Sequence, residues 1–169
     1  MYNMPLEQTI ITWIHLVSAA IWVGGSLFIG VVLAPVLKKS SMSLEERLQM
    51  MITVGRRFNR IAVPSLILLI ATGIYSSQNF LTENSYQLLF STSYGNFLLI
   101  KIFLVILLLI TFVIHVRIIR KDVEEKILSK KLSAQQIQTL RKKIIILGEV
   151  TVVISVAILF FAALLDSGA

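Results

Sequence analysis

The sequence predicts an all-α integral membrane protein, a bundle of four transmembrane helices, and three observations lead there. The 169 residues are 56% hydrophobic and 15% charged, with a mean hydropathy of +0.84, too apolar for a soluble domain that must clothe its core in polar side chains. Four stretches are long enough to cross a bilayer, which takes about 20 apolar residues in a helix. The charge is confined. With one exception, the basic residues fall in the connections between the first and second and between the third and fourth of these stretches.

The first span runs from Thr9 to Leu37. Glu7 precedes it where a signal peptide would carry a basic segment, and its apolar run is too long for one, so it is expected to be retained. The second span covers Ile61 to Phe80, the third Asn96 to Val116 and the fourth Ile144 to Leu165. Together they make residues 1–169 a single domain, with no strong repeat and no low-complexity tract. Lys38, Lys39, Arg47, Arg56, Arg57 and Arg60 lie between the first two spans, and a second group from Arg117 to Lys143 lies between the last two. The positive-inside rule then places both termini and the segment from Ser76 to Gly95 outside the cytoplasm, in a multi-pass protein of the cytoplasmic membrane. The net charge of +7 is thereby topological and calls for no nucleic acid, although it also favours anionic lipid.

Neither cytoplasmic connection reads as a simple loop. Ser43 with Glu46, and Ser133 with Gln136, have the spacing of capping boxes, so helices are expected to extend on the cytoplasmic side. Asp122 and Lys126 have the spacing of a helical ion pair on an extension of the third helix. On the outer side, Thr82 to Phe90 has the mixed character of a short interfacial helix, and Trp13 and Tyr94 are placed as interfacial anchors.

The absence of cysteine excludes disulfides, thiolate metal sites, iron–sulfur clusters and thiol catalysis. No phosphate-binding glycine loop, GxSxG or HExxH occurs, so the reading leans away from an enzyme. Interest centres on ionisable residues at membrane depth, each costing about 2.5–3.5 kcal/mol at a helix centre by insertion scales. They are His15, Lys101, His115 and Glu149. His15 and Lys101 lie roughly 8–10 Å below the outer ends of their helices, whereas His115 and Glu149 belong to the opposite half of the bundle. The histidines are therefore separated in depth by roughly 15 Å, against the ~2 Å bonds two imidazoles make to one metal ion.

His15, Ser18, Trp22, Gly25 and Ser26 share one helix face, whose small residues admit a neighbouring helix. His15 on that face is either a buried, hydrogen-bonded residue or a functional one. Lys101 either snorkels to the interface or faces a ligand. Glu149 is expected to meet His115, Arg57 or Arg60 in an inner polar layer, as a structural pair or a proton-handling group. Met1 and Met4 offer thioethers, ligands that suit Cu(I).

Three runs of sequence carry a family resemblance: Trp13-Ile14-His15-Leu16 with Ala20-Ile21-Trp22-Val23-Gly24-Gly25, then Arg57-Phe58-Asn59-Arg60-Ile61-Ala62 leading to Thr72-Gly73, and above all Ser91-Thr92-Ser93-Tyr94-Gly95 running on to Lys101. The chain resembles the membrane domain of the copper resistance protein D (CopD) family. That resemblance implies copper transport or homeostasis and places His15 and Lys101 within motifs, with Trp22 in the same run as His15. Larger relatives join this domain to further helices and copper-binding segments, which leaves room for action within a larger assembly or as a homo-oligomer. A second resemblance, to the HemJ type of membrane protoporphyrinogen oxidase, implies instead a haem- or porphyrin-binding redox protein, with haem b held by a single histidine. A structural accessory subunit of a membrane complex is the third reading.

Overall fold

The two serine boxes start helices as their spacing demands. The Ser43 backbone N–H donates to Glu46 Oε2 at 2.7 Å and the Glu46 N–H donates back to Ser43 Oγ at 3.2 Å. Ser133 and Gln136 repeat the exchange at 2.9 and 3.3 Å. Each box satisfies N–H groups that a helix leaves unpaired at its start. In the computed structural model, which describes residues 6–77, 86–119, 121–129 and 132–167, the helices they begin are long. They are α3, Leu44–Ser77, and α7, Ala134–Asp166, each reaching far beyond its apolar span at the basic end of the bundle.

The first span is α1, Leu6–Leu27, a π-helical stretch Phe28–Leu33 and α2, Ala34–Lys39, in one continuous rod. Pro35 has no N–H to give the preceding turn, and the wider π turn lies immediately before it. The third span is α5, Ser93–Ile118, preceded by the short α4, Tyr86–Ser91, which packs against it. Residues 82–85 of the expected interfacial helix lie outside the described residues. Thr92 caps α5 by accepting the Gly95 N–H at 3.1 Å, which gives the Thr92-Ser93-Tyr94-Gly95 run a local structural role.

The third helix does not extend as its sequence suggests. It ends at Ile119, whose N–H still bonds the His115 carbonyl but whose backbone leaves the helical region (φ −93°, ψ 27°), and the chain restarts as a separate helix, α6, Lys121–Leu128, packed on α3. The break lets Ile119 and Ile127 join Leu48, Ile52, Ile137 and Ile144 in a buried cluster at the basic end. A straight extension would carry Ile127 away from that cluster. The side chain of Asp122, expected to pair with Lys126, lies outside the described residues.

A second cluster lies at mid-bundle, made of Trp22, Ala62, Leu66, Leu108 and Ile154. Packing is pairwise, α1 with α3 and α5 with α7, and α1 and α7 join the pairs. Tyr75 Oη donates to Glu7 Oε1 at 2.6 Å across the end that carries the termini. Outward, large side chains such as Leu16, Phe28, Ile67, Phe103 and Val153 are exposed around the bundle. Four helices are long and apolar enough to span a membrane, and lipid is the solvent in which these faces are satisfied. The chain is a multi-pass membrane protein of all-α, four-span architecture.

Candidate functional site

Two polar assemblies lie at different depths. Toward the terminal end, His15 Nδ1 is 2.7 Å from Thr72 Oγ1, and its ring lies over Gly73, where an added Cβ would be 3.9 Å from His15 Cε1. A hydroxyl has one proton to donate. Thr72 Oγ1 also lies 2.6 Å from the Leu68 carbonyl, and when its proton goes there its oxygen accepts from His15 Nδ1. In that tautomer Nδ1 carries the proton and Nε2 keeps a free lone pair. Lys101 is half-buried on α5. Met1 and Met4 lie outside the described residues.

The helix face foreseen for the first span turns inward: Ser18 and Trp22 are buried, and Gly25 meets the Phe58 ring of α3. Trp22, however, is not beside His15. Seven residues put it about 10 Å further along the helix. There its Nε1–H donates to Ser155 Oγ at 3.1 Å while Ser155 donates to the Thr151 carbonyl, and Phe112 meets the indole edge-on at 5.1 Å between centroids.

Trp22 thus forms the floor of the second assembly, a cavity of about 630 Å³ that runs from mid-bundle to the basic end. Its aromatic wall is Trp22, Phe58 and Phe112, its polar groups include Asn59, His115, Thr151 and Glu149, and Lys38, Lys39, Arg47 and Arg141 stand around it. The expected inner pairing is not formed. His115 and Glu149 both line this cavity, but Glu149 is exposed and among the described residues makes no hydrogen bond or ion pair, and Arg57 and Arg60 are exposed and stand apart from the wall, because the rotation of α3 turns them away from it. Arg47 occupies the corresponding place on α3 and is held by three carbonyls: Nε donates to Met42 at 2.8 Å, Nη1 to Lys38 at 2.9 Å and Nη2 to Ser40 at 2.7 Å. Among the described residues, no group of three histidine, cysteine or carboxylate side chains has metal-site geometry.

Arg47 and Arg141 were not singled out from sequence, although a signal exists. Met51, Gly55, Phe58 and Asn59 recur at helical spacing on α3, as do Arg141, Ile144, Ile145, Gly148 and Glu149 on α7, and both sets line the cavity.

One curated relative, a protein of Aquifex aeolicus (strain VF5) described as uncharacterized, is 32% identical over 98 residues. The alignment takes in 57% of this chain and 65% of the relative, so the chain spans less than two thirds of that protein's length. No solved structure matches. The family described as copper resistance protein D matches residues 52–165, a stretch that includes Thr72, Lys101, His115 and Glu149 and stops short of the first helix with His15 and Trp22. Since the match takes in more than half of the sequence, from α3 to the end of α7, the chain belongs to the copper resistance protein D family.

Proposed function

We propose that this chain is a copper-handling protein of the cytoplasmic membrane, acting in copper transport or homeostasis, with the copper ion as its substrate and His15 as a ligand to it. Family membership carries the reading. The placement of His15 supports the ligand role, because Thr72 engages Nδ1 alone and a neutral imidazole with Nε2 free is a competent donor to Cu(I). Met1 and Met4 are the thioether donors nearest by topology. Lys101 would repel a bare cation, and its role in this scheme is to hold the anion that accompanies the metal. His115 and Glu149, with Arg57 and Arg60 beyond them, form the inner polar layer, to which proton handling is assigned. The distribution of basic residues supports capture from outside, with both termini extracytoplasmic. The chain acts alone, as a homo-oligomer or with other membrane subunits.

The test is the copper content and visible spectrum of the protein purified from copper-loaded cells. Copper should be retained without a Soret band. His15→Ala should lose the metal with its helix content unchanged, and His115→Ala should keep it. Full retention by His15→Ala, or loss in His115→Ala alone, would place the site elsewhere. A Soret band would favour the haem or porphyrin redox protein. Absence of both copper and haem, with stoichiometric copurifying proteins, would favour the structural subunit.

A further inference from the structure

The cavity at the basic end has a charge imbalance for which a copper site in the other half of the bundle has no use. Among the described residues, four cationic side chains, Lys38, Lys39, Arg47 and Arg141, border it against the single carboxylate of Glu149. Arg47 is held in place by neutral carbonyls, so its position is fixed and its charge is not cancelled by an acid. Arg141 is half-buried, and among the described residues it makes no hydrogen bond or ion pair. A partly desolvated guanidinium lacking a counter-ion is an unfavourable arrangement unless something supplies one. Away from these charges the wall is aromatic, formed by Trp22, Phe58 and Phe112.

The combination restricts the occupant. A bare metal cation is repelled by four positive groups, and a small inorganic anion would leave the aromatic part of the chamber unfilled. A negative head on an apolar body satisfies both ends. The membrane supplies such molecules: the four spans set the chain in a bilayer, and anionic lipid concentrates in the leaflet toward which basic connections point. Arg suits a phosphate or carboxylate head through its planar fork of donors.

We infer that this cavity binds one anionic amphiphile of the bilayer, its phosphate or carboxylate beside Arg141 and Arg47 and its hydrocarbon against Trp22, Phe58 and Phe112. A phospholipid and a free fatty acid share that chemistry. The site holds or fails independently of the copper reading.

The protein reports on the site itself, since it has two tryptophans, Trp22 in the cavity wall and Trp13, 64% exposed on the lipid-facing side of α1. The full-length Trp13→Phe variant, purified in a non-ionic detergent, leaves Trp22 as the sole indole. It is titrated with chain-brominated phosphatidylglycerol, phosphatidylcholine and stearate, bromine being a short-range quencher. Saturable quenching is expected from the anionic compounds, with phosphatidylcholine at least tenfold weaker. Stronger quenching by phosphatidylglycerol than by stearate identifies a phospholipid as the occupant, and the reverse order a fatty acid. Arg141→Gln should weaken anionic binding tenfold or more, Arg141→Lys should retain most of it, and Lys142→Gln, an exposed neighbour outside the wall, should leave it unchanged. Equal quenching by phosphatidylcholine and phosphatidylglycerol, no saturable quenching, or the same loss in Arg141→Gln and Lys142→Gln overturns the proposal.

Discussion

Adjacent glycines on the first helix make opposite predictions for the same substitution. A Cβ on Gly25 would overlap Cε2 and Cζ of Phe58, and the third nearest atom, Cδ2, would be at 3.0 Å. A Cβ on Gly24 meets nothing within 4 Å. The Phe58 ring is backed by the cluster of Trp22, Ala62 and Leu66 on one side, so it can give way only toward the cavity, at the expense of those contacts. Overpacking of this kind costs about 1–3 kcal/mol, partly offset by the gain of up to about 1 kcal/mol in helix propensity when alanine replaces glycine. Gly25→Ala should therefore destabilise the bundle by about 1–2 kcal/mol, and Gly24→Ala should be neutral or slightly stabilising. Reversible unfolding in mixed micelles, followed by circular dichroism, measures both. The decisive comparison is a cycle with Phe58→Ala, in which the Gly25→Ala penalty should vanish because the ring is gone. A penalty that persists without the ring, or Gly25→Ala as stable as the parent, would refute the close approach of α1 and α3 at this point.

Arg47→Ala removes three charge-assisted hydrogen bonds from the turn between α2 and α3 and should cost about 2–3 kcal/mol, since the group is half-buried. Amide exchange at residues 40–43 should quicken in that variant, and unchanged protection there would contradict the clamp. Trp22→Phe loses the bond to Ser155, worth about 0.5–1.5 kcal/mol. Adding Ser155→Ala to it should cost less than Ser155→Ala alone in the parent, and strict additivity would count against the coupling. Single cysteines at Asn84 and Ser129 should label differently with an impermeant reagent on intact cells, Asn84 reacting first; equal labelling would rule out the assigned orientation.

Features governed by local chemistry were legible in the sequence. Ser43 with Glu46 and Ser133 with Gln136 act within four residues, and the hydrogen bonds that their spacing implies are formed. The inward face of α1 was equally readable, because a periodicity of 3.6 is a property of one helix. What could not be read was how far around each helix its neighbour sits and where along it they touch. Trp22 and His15 share a face yet serve different depths, and Arg47, not Arg57 or Arg60, borders the cavity with His115 and Glu149, because the rotation of α3 is set by its packing on α1 at Gly25 and Phe58. The interruption after Ile118 was also hidden. Its cause is the burial of Ile119 and Ile127 among residues distant in sequence, and local propensity carries no trace of that.

The π-helical stretch Phe28–Leu33 makes the aim of the first helix depend on its winding in a way that side-chain substitutions do not reveal. A π turn accommodates more residues than an α turn, so everything beyond it is rotated relative to a purely α-helical continuation. Rewinding the segment as α-helix with every residue retained would swing the remainder by about 100°, whereas deleting one residue as it rewinds would leave the remainder nearly in phase. In the first case Pro35, Lys38 and Lys39 would leave the rim of the cavity, although Ser18 and Trp22 on the near side would keep their partners. The segment is thus a phase joint: it lets one continuous rod present one face to mid-bundle and a separately aimed face to the basic end, and its winding, more than the identity of its side chains, sets that aim.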